Sequence, residues 1–301
     1  MDVSNEEMEG LFDLMKYELG NSGKNAIVFI LKDRDWVPIN TVIKYKKHRD
    51  QGTLVSARNN AYKALRESIL TGSPHFKKDN PNNNRANPKG LPNARIGVVG
   101  SHLNQESGPS RPRLTPLEKS GTPRDVVARC CMRNGQREMN AQGVDAFFTC
   151  FPAIVVKLIL IYDELDESCK QAVRELGLSP FYRLSANFAT TSRIHPDHND
   201  SYLSIVLFYG NWNPSKRYGS LCLADLRITH ITRPGDICIT ATRFLHHWVT
   251  KWHRLTESHA AQTPVMGDLR CSNVISQTGQ FAKDVGSGKG KLLKWEKPEQ
   301  E

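Results

Sequence analysis

The pattern of apolar and polar positions divides the chain into unlike parts. Met8, Leu11, Phe12, Met15 and Leu19 recur with helical spacing and Gly20 follows as a stop, so residues 5–19 are expected to form a helix. Residues 26–31 form an apolar run of strand length. Residues 57–70 place Ala61, Leu65 and Ile69 on one helical face. From 71 to 124 the periodicity is lost. Pro, Asn, Gly, Ser and basic residues dominate there, with one apolar island at 96–99, and the stretch reads as a linker or long loop. Further helices are expected over 124–139 and from Pro152 to about residue 176, the latter closed by Gly177. Strand-length runs then follow at 181–189, 192–195, 202–209, 219–223, 227–232, 236–241, 245–250 and 270–276, with turn signals such as Pro234-Gly235-Asp236 between them. Many short strands at near-regular spacing imply a β-sandwich or barrel, and with the preceding helices the fold class is α+β.

At 301 residues the chain has room for one or two domains and a sizeable core. Charge changes the picture more than length does. The net charge of +10 is unevenly placed: residues 41–140 hold 19 basic and 7 acidic side chains, whereas 141–301 hold 18 and 16. A concentrated basic stretch is the electrostatic mark of a polyanion partner, usually nucleic acid. The expected organisation is therefore a basic N-terminal extension over 1–124, a β-rich domain over 125–285 and a tail over 286–301. Apolar stretches such as 158–162 and 205–209 are far too short to span a bilayer, so no membrane partner is expected. The acidic N-terminus does not read as a signal or transit peptide. Seven cysteines form no CxxC pair, and apolar neighbours around Cys222 and Cys238 mark buried, reduced thiols. Reduced thiols point to the cytosol or nucleus.

The chemistry concentrates in residues 191–200, Thr-Ser-Arg-Ile-His-Pro-Asp-His-Asn-Asp. On a strand, His195 and Asp197 point to the same face, so one imidazole and one carboxylate converge. A third ligand is available in Phe244-Leu-His-His-Trp-Val-Thr250, from His246 or His247; only one can serve, because adjacent strand residues face opposite sides. Two histidines and a carboxylate on one face describe the triad of non-haem Fe(II) oxygenases, which leaves three positions for co-substrate and dioxygen. A structural divalent site would use the same residue types. Asp163, Glu164, Asp166 and Glu167 read as a solvated helix face, His198, His230, His253 and His259 as exposed, and Trp212, Trp248 and Trp252 as core or rim packing.

Residues 179–250 also resemble the TET/JBP family of Fe(II)- and 2-oxoglutarate-dependent dioxygenases. The likeness runs from Ser179-Pro-Phe-Tyr-Arg-Leu-Ser-Ala-Asn-Phe188 into His195-Pro-Asp197, through Leu207-Phe-Tyr-Gly-Asn-Trp212, Gly219-Ser-Leu-Cys-Leu-Ala-Asp-Leu226 and Arg233-Pro-Gly-Asp236, to the histidine strand. The resemblance implies a double-stranded β-helix, the jelly roll of the cupins, with Fe(II) and 2-oxoglutarate as cofactors. It implies His195 and Asp197 as iron ligands, His247 as the favoured third ligand and His246 as the runner-up. It further implies a late-strand arginine for the distal carboxylate of 2-oxoglutarate. Arg270 is the first candidate, although it lies 23 residues past His247 where the family gap is much shorter, and Arg254 is the alternative. Asp200 matches a position that contacts the target base in some members. Ser276 and Thr278 stand where members carry an aromatic residue and a histidine that stack the flipped base. The activity so implied is oxidation of a nucleobase methyl group, most simply 5-methylcytosine in DNA, by a monomeric nuclear enzyme. Hydroxylation of a protein side chain or another methylated base, and non-catalytic nucleic-acid binding around a structural metal, are the alternatives.

Overall fold

Hydrogen bonding along the backbone resolves the chain into fourteen strands and five helices in a computed structural model that describes residues 12–18, 25–32, 38–45, 52–76, 85–86, 99–100, 112–188, 191–192, 194–198, 200, 203–210, 219–250 and 270–278. In chain order they are β1 (Phe12–Glu18), β2 (Asn25–Lys32), β3 (Pro38–Tyr45), α1 (Gly52–Leu70), β4 (Arg85–Ala86), β5 (Val99–Gly100), β6 (Arg113–Leu114), α2 (Pro116–Lys119), α3 (Pro123–Cys150), α4 (Pro152–Asp163), α5 (Glu167–Glu175), β7 (Arg183–Phe188), β8 (Thr191–Ser192), β9 (Ser204–Gly210), β10 (Leu221–Leu223), β11 (Ile228–His230), β12 (Ile237–Thr240), β13 (His247–Val249) and β14 (Arg270–Ser276).

A seven-stranded antiparallel sheet runs β1-β2-β3-β12-β9-β14-β7, and a smaller sheet runs β11-β10-β13. Residue His195, just past β8, bridges to His247 of β13. From β7 onward the chain therefore alternates between the sheets: β7, β9, β12 and β14 in the larger, β8, β10, β11 and β13 on the smaller side. That winding is a double-stranded β-helix. The α+β jelly-roll expectation is met.

Strand β9 explains how the sheet can be covered on both faces. Its residues 204–209 are all buried, the signature of a central strand rather than a half-exposed one. By strand parity Val206 and Phe208 face the smaller sheet, while Ile205, Leu207 and Tyr209 face the helices. Helix α3 supplies the opposing surface, burying Ala128, Met132, Met139, Val144 and Phe147 at helical spacing. Each such apolar side chain contributes about 1.5–3 kcal/mol when fully withdrawn from water. Helix α1 packs beside α3 through Ala57, Ala61 and Ala64, and a Cβ at Gly135 would collide with Ala64, so this crossing tolerates only glycine.

The ends of α1 and α3 are tied by Asp125. Only 1% exposed, its carboxylate accepts hydrogen bonds from Ser73 (2.5 Å), Thr122 (2.7 Å) and Ser120. Burial alone would raise its pKa, but these bonds outweigh burial and hold it at about 2, against an ordinary 3.8. Its stabilisation is therefore complete above about pH 4 and lost as the pH falls towards 2. Asp125→Ala is expected to cost about 2 kcal/mol near neutral pH. Thermal unfolding across pH checks this: the two proteins should converge in the acid range, and a constant difference down to pH 2 would refute the assignment.

Three expectations are corrected. Residues 12–18 of the anticipated first helix form strand β1, paired with β2 from Phe12↔Leu31 to Glu18↔Asn25; ladder bonds to a neighbouring strand override the local helical spacing. The helix expected over 152–176 is two, because Asp166 takes the extended N-cap conformation in which aspartate is favoured and restarts the chain as α5. Strand β3, unforeseen, pairs with both β2 and β12. Segments on the N-terminal side of residue 124 thus supply three strands and a helix to the same sheet and core as the later strands. The tail over 286–301 lies outside the described residues.

Candidate metal centre and anion pocket

The cavity between the two sheets is lined by His195, Asp197 and His247 at one part and Arg270 at another. Each reaches it for a local reason. His195 and His247 face each other because their backbones exchange two hydrogen bonds, each 3.0 Å, which brings the rings together with centroids 4.6 Å apart at a tilt of 46°. Asp197 lies two residues on, its backbone N–H donating to the Thr242 carbonyl at 2.8 Å. Its carboxylate stands 3.7 Å from His195 Nε2 and 3.4 Å from His247 Nε2. One donor atom from each of the three lies within 4.8 Å of the others.

The chemistry of this set fits Fe(II). His247 Nδ1 lies 2.9 Å from the Leu245 carbonyl, which can only accept, so Nδ1 carries the proton and Nε2 keeps its lone pair for a cation. Both imidazoles are nearly buried, at 9% and 8% exposure, whereas the Asp197 side chain is 25% exposed, leaving the site open on its carboxylate side. Imidazole, carboxylate and imidazole converging with an open side is the facial arrangement of an Fe(II) oxygenase rather than a closed structural zinc site.

Parity separates the neighbouring histidines as expected. His246 is exposed, with its ring and backbone N–H on Asp225 instead.

Arg270 opens β14 and is 2% exposed. Its guanidinium lies over the Phe208 ring at 4.9 Å, and a Cβ at Gly219, where φ is +68°, would collide with its Cδ. The chain thus reserves space for the stem and stacks the head. No carboxylate among the described residues pairs with it, and its buried Nε has no hydrogen-bond partner among them. Burial lowers its pKa to about 10, so it stays cationic near neutral pH. A buried cation without a counter-charge is costly. This one faces the cavity that the triad lines, where a carboxylate would supply the missing charge. Strand parity then places Ser272 and Val274 of β14 on the same lining. The cavity measures about 50 Å³, several times the ~10–15 Å³ that one water needs. Arg254, the alternative anion ligand, lies outside the described residues, as do Trp212, Trp252, His253 and His259.

Asp200 is not part of this lining. It is 3% exposed and ringed by donors: Arg183 (2.5 Å) and Ser276 (3.3 Å) on Oδ1, Ser204 (2.9 Å) and Thr242 (3.1 Å) on Oδ2. Burial raises its pKa and neighbouring Asp197 adds to this, with Arg183 opposing. The structure offers no free carboxylate there, which removes the premise on which a base contact was expected. Ser276 and Thr278 are buried with it, Thr278 against Tyr182 at 2.7 Å. His230 is corrected from exposed to half-buried, accepting from Asn40 Nδ2 at 2.9 Å; His198 and the acidic residues at 163–167 are exposed as expected. The lining polar residues Asn187, Ser192, Thr240 and Thr242 were not foreseen, although parity along β7, β8 and β12 could have marked them.

No family model matches the sequence, and no curated protein does. Solved structures do. The chain is similar to NgTET1 in complex with 5mC DNA, at TM-score 0.57 and 14% identity, covering 85% of this chain and 78% of that one. That likeness is one of fold, the double-stranded β-helix described above. Looser likenesses are to a 2OG-Fe(II) oxygenase family oxidoreductase from Burkholderia pseudomallei (TM-score 0.32, 14% identity, 72% of this chain and 77% of that) and a prolyl hydroxylase from Trichoplax adhaerens in complex with a peptide fragment (TM-score 0.36, 11% identity, 77% and 82%). Among the described residues no helix is long and apolar enough to cross a membrane.

Proposed function

We propose that this chain is an Fe(II)- and 2-oxoglutarate-dependent dioxygenase that oxidises the methyl group of 5-methylcytosine in DNA. The observation that carries the enzyme class is the meeting, in one cavity, of His195, Asp197 and His247 with the buried guanidinium of Arg270, with which no carboxylate among the described residues pairs. Fe(II) and 2-oxoglutarate, when bound, would supply the oxygen activation, with decarboxylation of the co-substrate to succinate balancing hydroxylation of a C–H bond by dioxygen. The chain's residues do the rest. The two imidazoles and Asp197 hold the cation and leave its outer side open. Arg270 orients the co-substrate by forking its distal carboxylate. Val206, Leu221 and Val249 supply apolar walls.

Three things support the nucleobase. The motif run over 179–250 resembles the TET/JBP family, the solved relative NgTET1 was captured with 5mC DNA, and residues 41–140 carry a net charge of +12 that would grip a phosphate backbone. A base within a duplex must be flipped out to reach such a cavity. The reading extends to a monomer acting in the nucleus. A second reading, hydroxylation of another methylated base or of a protein side chain, is favoured by one observation: the positions where the resemblance expects base-stacking residues hold Ser276 and Thr278, both buried.

Protein incubated with Fe(II), 2-oxoglutarate and methylated duplex should release succinate and yield 5-hydroxymethylcytosine, with His195→Ala as the blank. Succinate with RNA or peptide pools but not DNA would move the substrate to the second reading. No succinate above the blank with any pool would sink the enzyme.

A further inference from the structure

We propose that Asp200 is a positioning residue that locks the backbone of Asp197, so that the Asp197 carboxylate is presented beside the two imidazoles without Asp200 touching metal or substrate. The inference rests on the metal-site reading above. Three hydrogen bonds close a ring. The Asp197 N–H donates to the Thr242 carbonyl at 2.8 Å, and the Asp200 N–H donates to the Asp197 carbonyl at 2.9 Å. The Thr242 hydroxyl, 3.1 Å from Asp200 Oδ2, joins the two arms. Both backbone polar groups of Asp197 are thereby tied to residues that are tied to each other.

Asp200 is itself anchored to three strands of the larger sheet. Arg183 begins β7, Ser204 begins β9 and Ser276 ends β14, and all three reach its carboxylate. Asp200 also bridges to Thr278 just past β14. The rigidity of the sheet is passed through one carboxylate to a loop residue. Asp197 needs it most of the three ligands, since its side chain is 25% exposed and the imidazoles about 10%. A carboxylate has about four acceptor sites. Four donor groups surround that of Asp200, two of them hydroxyls that also lie 2.8 Å from each other, so a substrate amino group would have to displace one of them.

The test uses the full chain and Mn(II), a redox-stable stand-in for Fe(II), titrated calorimetrically beside thermal unfolding of the metal-free proteins. Thr242→Val removes the hydroxyl and keeps the carbonyl; Thr242→Ser restores the hydroxyl. Asp200→Asn and Thr242→Val are each expected to weaken Mn(II) binding by roughly 10–100-fold, as loss of an outer-shell support does, while Thr242→Ser stays within about threefold. The double variant should be little worse than either single, because both cut the same ring. If Asp200→Asn does not fold, the Thr242 pair decides. Unchanged Mn(II) affinity in Thr242→Val, with or without a lowered unfolding temperature, would overturn the clamp. Unchanged Mn(II) affinity with weakened DNA binding in Asp200→Asn would restore the base-contact role. No Mn(II) binding by the wild type would instead overturn the metal site itself, and the clamp with it.

Discussion

Substituting His247 by alanine is expected to weaken Mn(II) or Fe(II) binding by more than ~100-fold, whereas His246→Ala leaves it within about twofold. The figure is a lower bound, since disturbing a group that merely supports a ligand already costs 10–100-fold. The contrast between adjacent histidines makes the test sharp. His247 presents Nε2 3.4 Å from the Asp197 carboxylate, with the tautomer set by the Leu245 carbonyl, while the His246 ring faces Asp225 outside the cavity. Alanine at 247 keeps the backbone exchange with His195, so the strand pairing survives and only the donor atom is lost. A second readout needs no turnover. A cation bound only by the folded state adds about 2.7 kcal/mol of stability at a hundred times its Kd. Mn(II) should therefore raise the unfolding temperature of the wild type and His246→Ala, and not that of His247→Ala. Equal shifts in all three proteins would place the metal elsewhere.

How much of this was legible beforehand depends on how local each cause is. His195 and Asp197 could be read from spacing because their convergence is a property of two residues on one extended segment. The same parity showed that only one of His246 and His247 could serve, and the preference for His247 came from the family resemblance. Arg270 could be named but not secured by counting, because 23 residues separate it from His247; what favours it is its burial against the cavity and the glycine at 219 that makes room for its stem, both tertiary facts. The surroundings of Asp200 were not legible because its donors, Arg183, Ser204, Thr242 and Ser276, sit on separate elements, and no local pattern shows that they meet. Strands β1 and β3 failed in the fold for a related reason. Their identity is settled by pairing, and β3 pairs with β12 about two hundred residues away, which local apolar spacing does not encode.

Arg270→Met is expected to act with opposite signs on the empty protein and on co-substrate binding. In the empty protein the guanidinium is buried, stacked on Phe208 and without a counter-charge among the described residues, so a methionine of similar length should leave stability unchanged or raise it. With 2-oxoglutarate present the same change deletes one half of a buried ion pair, a loss of about 3–5 kcal/mol, or roughly 10²–10⁴-fold in affinity. Arg270→Lys keeps a charge but not the fork, and should fall between the two. Gly219→Ala should approach the methionine variant, because its Cβ would collide with Arg270 Cδ at a backbone φ of +68° that alanine adopts poorly. Ligand chemistry closes the cycle. 2-Oxopentanoate has the keto acid that would chelate the metal but lacks the distal carboxylate, so it should bind wild type and Arg270→Met alike. Calorimetric titration of both ligands into both Mn(II)-loaded proteins gives the coupling directly. A methionine variant that is markedly destabilised when empty, or that loses affinity equally for both ligands, would show that Arg270 supports the fold and does not read the carboxylate.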